Sequence, residues 1–177
     1  MRRDRRPPPP LDAAALERLA LRYVERFATT QGKLAAYLAR KIRERGWEGD
    51  AVDPVAIAER FAERGYIDDR LYAESKAASM ARRGLGARRV GQALRHAGIG
   101  ADDAEAVAPA IAARAAETAI AFARRRRIGP FATQVPDRAQ IAKQVAAMVR
   151  AGHAPALAWR IAGMDPGESV ESLLDEV

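Results

Sequence analysis

The chain has 177 residues, enough for one domain with a real core or for a string of small modules. It is 49% hydrophobic yet only 6% aromatic, and much of the apolar content is alanine, which suits thin helices packed closely and leaves strand signals nearly absent. A formal charge of +7 and a pI near 10.3 predict attraction to polyanions, and the absence of cysteine excludes disulfides and thiolate metal sites.

The opening MRRDRRPPPP places four arginines before four prolines, where a secretory signal needs an apolar run. Residues 1–10 therefore read as a disordered basic arm. No later segment approaches the about 18 apolar residues of a membrane span, so a cytoplasmic chain without membrane contact is expected.

From Leu11, the residues Leu16, Leu19, Ala20, Tyr23, Val24 and Phe27 recur at helical spacing and predict a first helix to about Ala28. Thr29 or Thr30 caps a second helix, with Leu34, Leu38 and Ile42 as its stripe, ending at Gly46. A third starts at Asp53 and Pro54, both natural start signals, and runs through Ile57 and Phe61 to Gly65. Asp68 caps a fourth, with Ile67 and Tyr72 placed as a hydrophobic staple, and Gly84 ends it. The fifth begins near Gly86, turns Val90 and Leu94 inward and stops at Gly98. A sixth begins at Asp102 or Asp103 and is expected to be interrupted by Pro109, which lacks the helical N–H. A seventh, alanine-rich helix ends at the arginines 124–127. The eighth carries Ile141, Val145 and Met148 to Gly152, a ninth runs from Pro155 to near Gly163, and Val170, Leu173 and Leu174 allow one more turn.

Several helix-ending glycines are followed by an apolar residue that a Schellman turn would bring against the residue five positions earlier. The pairs are Ile42 with Trp47, Phe61 with Tyr66, Leu94 with Ile99, Met148 with His153 and Trp159 with Met164. Gly46, Gly98 and Gly152 recur at intervals of 52 and 54 residues, about three short helices each. An all-α chain of three tandem three-helix repeat units forming an elongated, curved body is therefore expected. The boundaries are 11–65, 66–108 and 109–165, followed by an acidic C-terminal tail at 166–177.

Charge is clustered along this framework. From Lys76 to His96 there are six lysines and arginines and no acidic residue, while Gly163 to Val177 holds five acidic residues and no basic one. On the fifth helix Arg88, Gln92 and Arg95 fall opposite Val90 and Leu94, and so face solvent or a partner. Arg82, Arg83 and Arg89 flank them. Arg40, Lys41 and Arg43 add charge on the second helix, as do Arg124, Arg125, Arg126 and Arg127 after the seventh. The plain alternative is a set of solvated faces, with arginines at helix C-terminal ends complementing the backbone dipole. Dipole pairing does not by itself require an unbroken basic block. The aromatics Tyr23, Phe27, Phe61, Tyr66 and Phe122 suit the core better than a base-stacking platform.

Catalytic patterns are missing. Asp68 and Asp69 form an adjacent carboxylate pair best read as helix caps, since no third ligand is spaced nearby. His96 and His153 both flank helix-ending glycines, outside any HExxH setting. There is no P-loop or nucleophile elbow, and the GxG at 84–86 lacks a preceding strand. No enzyme, metal or cofactor is expected.

The stretch GYIDDRLYAES at 65–75 followed by ARRGLGARRVGQALRHAGI at 81–99 resembles the signature of the RecX regulatory proteins, modulators of the RecA recombinase. Gly65, Tyr66, Ile67, Asp68 and Asp69, then Ala73, Arg83, Gly84, Gly86, Arg89 and Leu94 to Ile99, fall at the family's spacing. Tyr72 stands where the family usually has phenylalanine, Gly91 and Ala93 replace larger polar residues, and AGH at 151–153 departs from a basic residue, glycine and an aromatic. The resemblance spans about residues 14–165 and is strongest in the middle unit.

This resemblance implies a non-catalytic protein lying in the groove of the RecA filament on single-stranded DNA, and the lack of a heptad seam in the sequence makes a monomer the expectation. It would restrain RecA ATP hydrolysis, strand exchange and the co-protease activity of the SOS response, and so modulate homologous recombination and DNA repair. The basic residues above would then meet RecA or DNA. A different reading of the same charge is a sequence-independent DNA-binding protein that acts only by competing for DNA.

Overall fold

Helix start and stop signals dictate nearly every boundary. The computed structural model describes residues 9–174, in which all regular elements are helices: α1 (Ala13–Arg26), α2 (Gln31–Arg45), α3 (Pro54–Glu63), α4 (Asp69–Arg82), α5 (Ala87–His96), α6 (Ala101–Ala112), α7 (Ala115–Arg126), a 3-10 turn (Gly129–Phe131), α8 (Arg138–Arg150), α9 (Pro155–Ala162) and α10 (Glu171–Leu174). No single described helix is long and apolar enough to cross a membrane. Residues 1–8 of the expected arm and 175–177 of the acidic tail lie outside the described residues. The chain separates into two compact units, one running up to Tyr72 with Ala97–Ile99 added, the other comprising Ala73–His96 and Gly100 onward.

In the first unit the caps predicted at Thr30, Asp53 and Asp68 are in place, and Asp12 adds one that the sequence reading did not name. Asp12 accepts from Ala15 N at 2.7 Å, Thr30 from Lys33 N at 3.1 Å, Asp53 from Val55 N at 2.8 Å and Asp68 from Leu71 N at 2.8 Å. Each satisfies one of the N–H groups that a helix start leaves unpaired. The neighbouring Asp69 does something different. Its buried carboxylate accepts from Gln31 N at 2.9 Å, so a residue of α4 helps to cap α2. Thr30 also donates its hydroxyl to Ala97 O, and Gly32 lies so close to Gly98 that an added Cβ would stand 2.7 Å from the Gly98 Cα.

The core of this unit is Leu11, Leu16, Ala20, Leu34, Leu38, Ile57, Ala58, Phe61 and Ile67. Leu11 precedes α1 yet is fully buried, because its backbone forms a parallel bridge with Trp47: Leu11 N donates to Gly46 O at 3.0 Å, and Glu48 N to Leu11 O at 2.9 Å. Arg45 donates to Pro9 O at 2.8 Å, which ties the last residues of the expected arm to α2. Gly65 and Tyr66 close α3 with the two bonds of a Schellman turn, Gly65 N to Ala62 O at 2.8 Å and Tyr66 N to Phe61 O at 3.0 Å. The Phe61 and Tyr66 rings meet at 5.4 Å.

Some expectations for this unit are corrected. The first helix stops at Arg26, and Phe27 continues in extended backbone with half its surface exposed. Tyr66 is likewise 52% exposed, because the turn at Gly65 leans its ring on Phe61 without carrying it inside. Trp47 does not follow a Schellman turn, since Gly46 (φ 83°, ψ 166°) leads directly into the bridge with Leu11. Tyr72 receives Lys33 Nζ at 2.5 Å, with that ammonium 4.6 Å from the ring centroid.

The second unit packs α7, α8 and α9 around Ala119, Ile120, Ala123, Ile128, Val145, Met148, Ala158, Ile161, Ala162 and Met164, with Leu173 of α10 closing one side. Asp137 and Gln140 form a reciprocal capping box at the start of α8, a signal the sequence reading passed over. Pro109 does not interrupt α6, which continues to Ala112, with Ala113 N bonding Pro109 O at 2.9 Å. Proline forfeits one bond here, to the carbonyl of Glu105. Both residues are exposed, so water reaches that carbonyl, and the loss is tolerable. Trp159 and Met164 are not paired by a Schellman turn, because Gly163 keeps a right-handed φ of −88°.

True Schellman turns close α4 at Gly84, α7 at Arg127 and α8 at Gly152. Arg127 is the single described non-glycine with positive φ (55°), a left-handed conformation that costs a side-chain-bearing residue about 1 kcal/mol. Gly86 abuts Gly152 and anchors the start of α5: Gly86 N donates to Ala151 O at 3.0 Å, Arg88 N to Gly152 O at 3.2 Å, and a Cβ on Gly86 would fall 2.4 Å from the Gly152 carbonyl. The buried His153 places Nε2 3.1 Å from Gly84 O and its ring 5.5 Å from that of Phe122. A carbonyl only accepts, so Nε2 carries the proton.

Gly86→Ala is expected to destabilise the fold by about 1–3 kcal/mol, since backbone would have to move. Gly91→Ala, on the same helix and meeting only Arg95 Nη1 at 3.5 Å, is expected to stabilise it by up to about 1 kcal/mol. Urea denaturation of both variants checks the pair.

Burial pushes the His153 imidazole below its ordinary value, with the bond to Gly84 opposing the shift. Below about pH 6.5 the unfolded chain then binds the proton more readily than the folded one, so stability falls as pH drops from 7 toward 5. His153→Gln, which keeps a donor for Gly84, is expected to remove that part of the slope in urea titrations at pH 5 and 7.

Candidate functional site

The second unit brings most of the predicted basic residues onto the framework of Gly84, Gly86 and Gly152. α5 is held by Val90 and Leu94, each 2% exposed, and this turns Arg88, Gln92 and Arg95 outward as the 100° spacing requires. Arg82, Arg83 and Arg89 are exposed beside them. Arg89 Cβ and N crowd Gly152, so the base of this side chain is fixed by the glycine contact, while its Nη1 lies 3.5 Å from Gln92 Oε1. Arg95 folds back along its own helix toward Gly91.

The end of α7 joins the same framework. A Cβ on Gly84 would meet Phe122 N at 2.9 Å and Arg125 Nη2 at 2.7 Å, which sets the Arg125 guanidinium against the joint between α4 and α5. Arg124 lies over the Phe131 ring at 5.1 Å and Arg126 over Phe122 at 5.9 Å. These contacts place the guanidinium heads over ring faces, while both arginines remain exposed. Within the described residues no carboxylate pairs with Arg82, Arg83, Arg88, Arg89, Arg95 or Arg124–Arg127. Such an arrangement binds polyanions: it offers planar, permanently charged donors on a rigid backbone, without acidic neighbours to neutralise them.

Arg40, Lys41 and Arg43 belong to the first unit. Two of the three are already engaged. Lys41 donates to Glu44 at 2.6 Å, Arg40 lies 3.8 Å from the same carboxylate, and both cations sit over the Tyr37 ring at 5.8 and 5.6 Å. The Lys41 hydrogen bond, with the nearby positive charges, holds the Glu44 carboxyl below its usual range. The local geometry is that of a surface ion-pair network, and only Arg43 is without a carboxylate partner.

Asp68 and Asp69 are spent on two helix starts, and no group of three or more metal-ligating side chains occurs among the described residues. Sequence reasoning missed the exposed apolar side chains Leu71 (61%) and Trp159 (52%). It also missed a cleft of about 360 Å³ between the end of α7 and α8, lined by residues with no recognised motif.

The profile of the RecX second three-helix domain matches residues 68–107, which contain α4, α5 and their glycine joint. The regulatory protein RecX of Myxococcus xanthus (strain DK1622) is 32% identical over 163 residues, covering 85% of this chain and 86% of that protein. A crystal structure of a regulatory protein RecX superposes with a TM-score of 0.55 at 23% identity, covering 84% of this chain and 72% of the other, and supports the fold. With that identity sustained over most of both chains, this protein belongs to the RecX family of regulatory proteins.

Proposed function

We propose that this chain regulates the RecA recombinase by binding in the groove of the RecA filament on single-stranded DNA, where it inhibits ATP hydrolysis, strand exchange and co-protease activity. It acts in the cytoplasm, as a monomer and without catalysis of its own. The observation that carries the reading is the exposed, uncompensated face of Arg88, Gln92 and Arg95 on a helix whose position is fixed by Gly86 and Gly152. Family membership supplies the direction: a regulator acts on something, and a basic face suits a partner built around DNA. Arg82, Arg83, Arg89 and Arg124–Arg127 extend this surface in the proposal, and Arg40, Lys41 and Arg43 contribute separately.

The division into units 11–65, 66–108 and 109–165 is also proposed. Its support is the recurrence of glycine-closed helices and the match of the second three-helix domain to 68–107.

Arg88→Glu, Arg89→Glu and Arg95→Glu combined are expected to abolish inhibition of DNA-dependent ATP hydrolysis by the cognate RecA while changing stability by only about 0.5 kcal/mol per exposed site. Unaltered inhibition by the triple variant, or unaltered hydrolysis at saturating native protein, would refute the proposal. The alternative, competition for DNA, requires inhibition to vanish when single-stranded DNA is in excess, with log affinity for DNA falling linearly with log salt. Inhibition that persists on preformed filaments with no free DNA favours contact with the filament.

A further inference from the structure

The cleft beside α8 has the chemistry of an oxyanion site. It lies between the end of α7 and α8, is about 360 Å³ in volume, and is lined by Arg127, Thr133, Val135, Gln140, Lys143 and Gln144 among others, none of them acidic. Its donors are unused. Gln144 Oε1 is a buried acceptor that finds no donor among the described residues, and flipping the amide exchanges it for the NH2 group, which can donate to an oxyanion. Gln140 accepts from Asp137 N through its oxygen at 3.0 Å, which leaves its NH2 to donate. The N–H groups of Thr133, Gln134 and Val135 make no hydrogen bond within the described residues.

Arg127 supplies an independent argument. The Schellman turns at Gly65, Gly84 and Gly152 all place glycine at the left-handed position, where absence of a Cβ removes the strain. At the rim of this cleft the same position holds arginine. A side chain kept where the backbone favours none is a local cost that a bound anion would offset.

We infer that Arg127, Lys143, Gln140, Gln144 and the Thr133–Val135 backbone form a phosphate-binding site. Two cations and several amide donors line a space wide enough for a tetrahedral oxyanion. The phosphate comes either from a nucleic-acid backbone or from a free phosphate compound. The inference goes beyond the RecA reading and does not depend on it.

The test is amide NMR of the full chain titrated with inorganic phosphate, with acetate at matched ionic strength, and with a short single-stranded oligodeoxynucleotide. Saturable phosphate shifts at Thr133–Val135, Gln140 and Gln144, absent with acetate, support the site. The same shifts with the oligonucleotide assign the source to a nucleic-acid backbone, and their absence with the oligonucleotide assigns it to free phosphate. Arg127→Gly preserves the turn and is expected to keep or raise the melting temperature while weakening phosphate binding by about tenfold, the effect of losing one charge-assisted hydrogen bond. Lys143→Gln acts as a second variant, with binding weakened in the same direction. Equal shifts with acetate, no saturable shift, or undiminished phosphate binding in both variants overturns the inference, whereas the RecA reading, which shares Arg127, stands or falls on the ATP hydrolysis measurement.

Discussion

Close backbone approach at glycine is the constraint on which the rest depends. Helices rich in alanine project little side-chain bulk, so they bury apolar surface only when their axes come near, and at such distances one Cβ in the wrong place forces main chains apart. Gly86 against Gly152, Gly32 against Gly98, and Gly129, whose Cβ would fall 1.8 Å from Ile161 O, are three such points. Each sits at or next to a helix end. The glycines that stop helices therefore also set how adjoining segments meet, and the arginines of α5 inherit their positions from that fit.

This double use explains what could be read in advance. Caps are local: Asp53 with Pro54, Thr30 and Asp68 announce helix starts within four residues, and the structure places all three at those tasks. The outward face of α5 was equally legible, since Val90 and Leu94 determine it by spacing alone. What escaped was non-local or a matter of degree. Asp69 capping α2, Leu11 bridging Trp47 and His153 donating to Gly84 join residues 38, 36 and 69 positions apart, and no short window contains both partners. Phe27 and Tyr66 are apolar residues at helix exits, where a single backbone torsion decides between core and solvent. Of the basic residues, the sequence did not distinguish Arg40 and Lys41, held by Glu44, from Arg88 and Arg95, which have no such partner.

The charged surface also owes its availability to how the helices end. Carbonyls at the end of α4 are taken by Gly84 N and Leu85 N, and those at the end of α7 by Arg127 N and Ile128 N. Main chain thus closes both helices. The arginines clustered there interact favourably with the helix dipole through space, but they are not consumed as hydrogen-bond caps, and their forked donors remain open to another acceptor. A basic block at a helix end can complement the helix dipole and still keep its donors open, as the geometry here allows.

The first unit is not continuous in the chain. Its α2 start donates a backbone hydrogen bond to Asp69, lends the Thr30 hydroxyl to Ala97 O and packs Gly32 on Gly98, so its last pieces arrive with Ala97–Ile99. On a ribosome, which delivers residues from the N-terminus in order, α1 to α3 emerge and can collapse early. They stay unfinished until the whole of α4 and α5 has been made. In sequence, the helix that carries Arg88, Arg89 and Arg95 thus falls between two segments of the first unit, and completing that unit's fold is contingent on its synthesis.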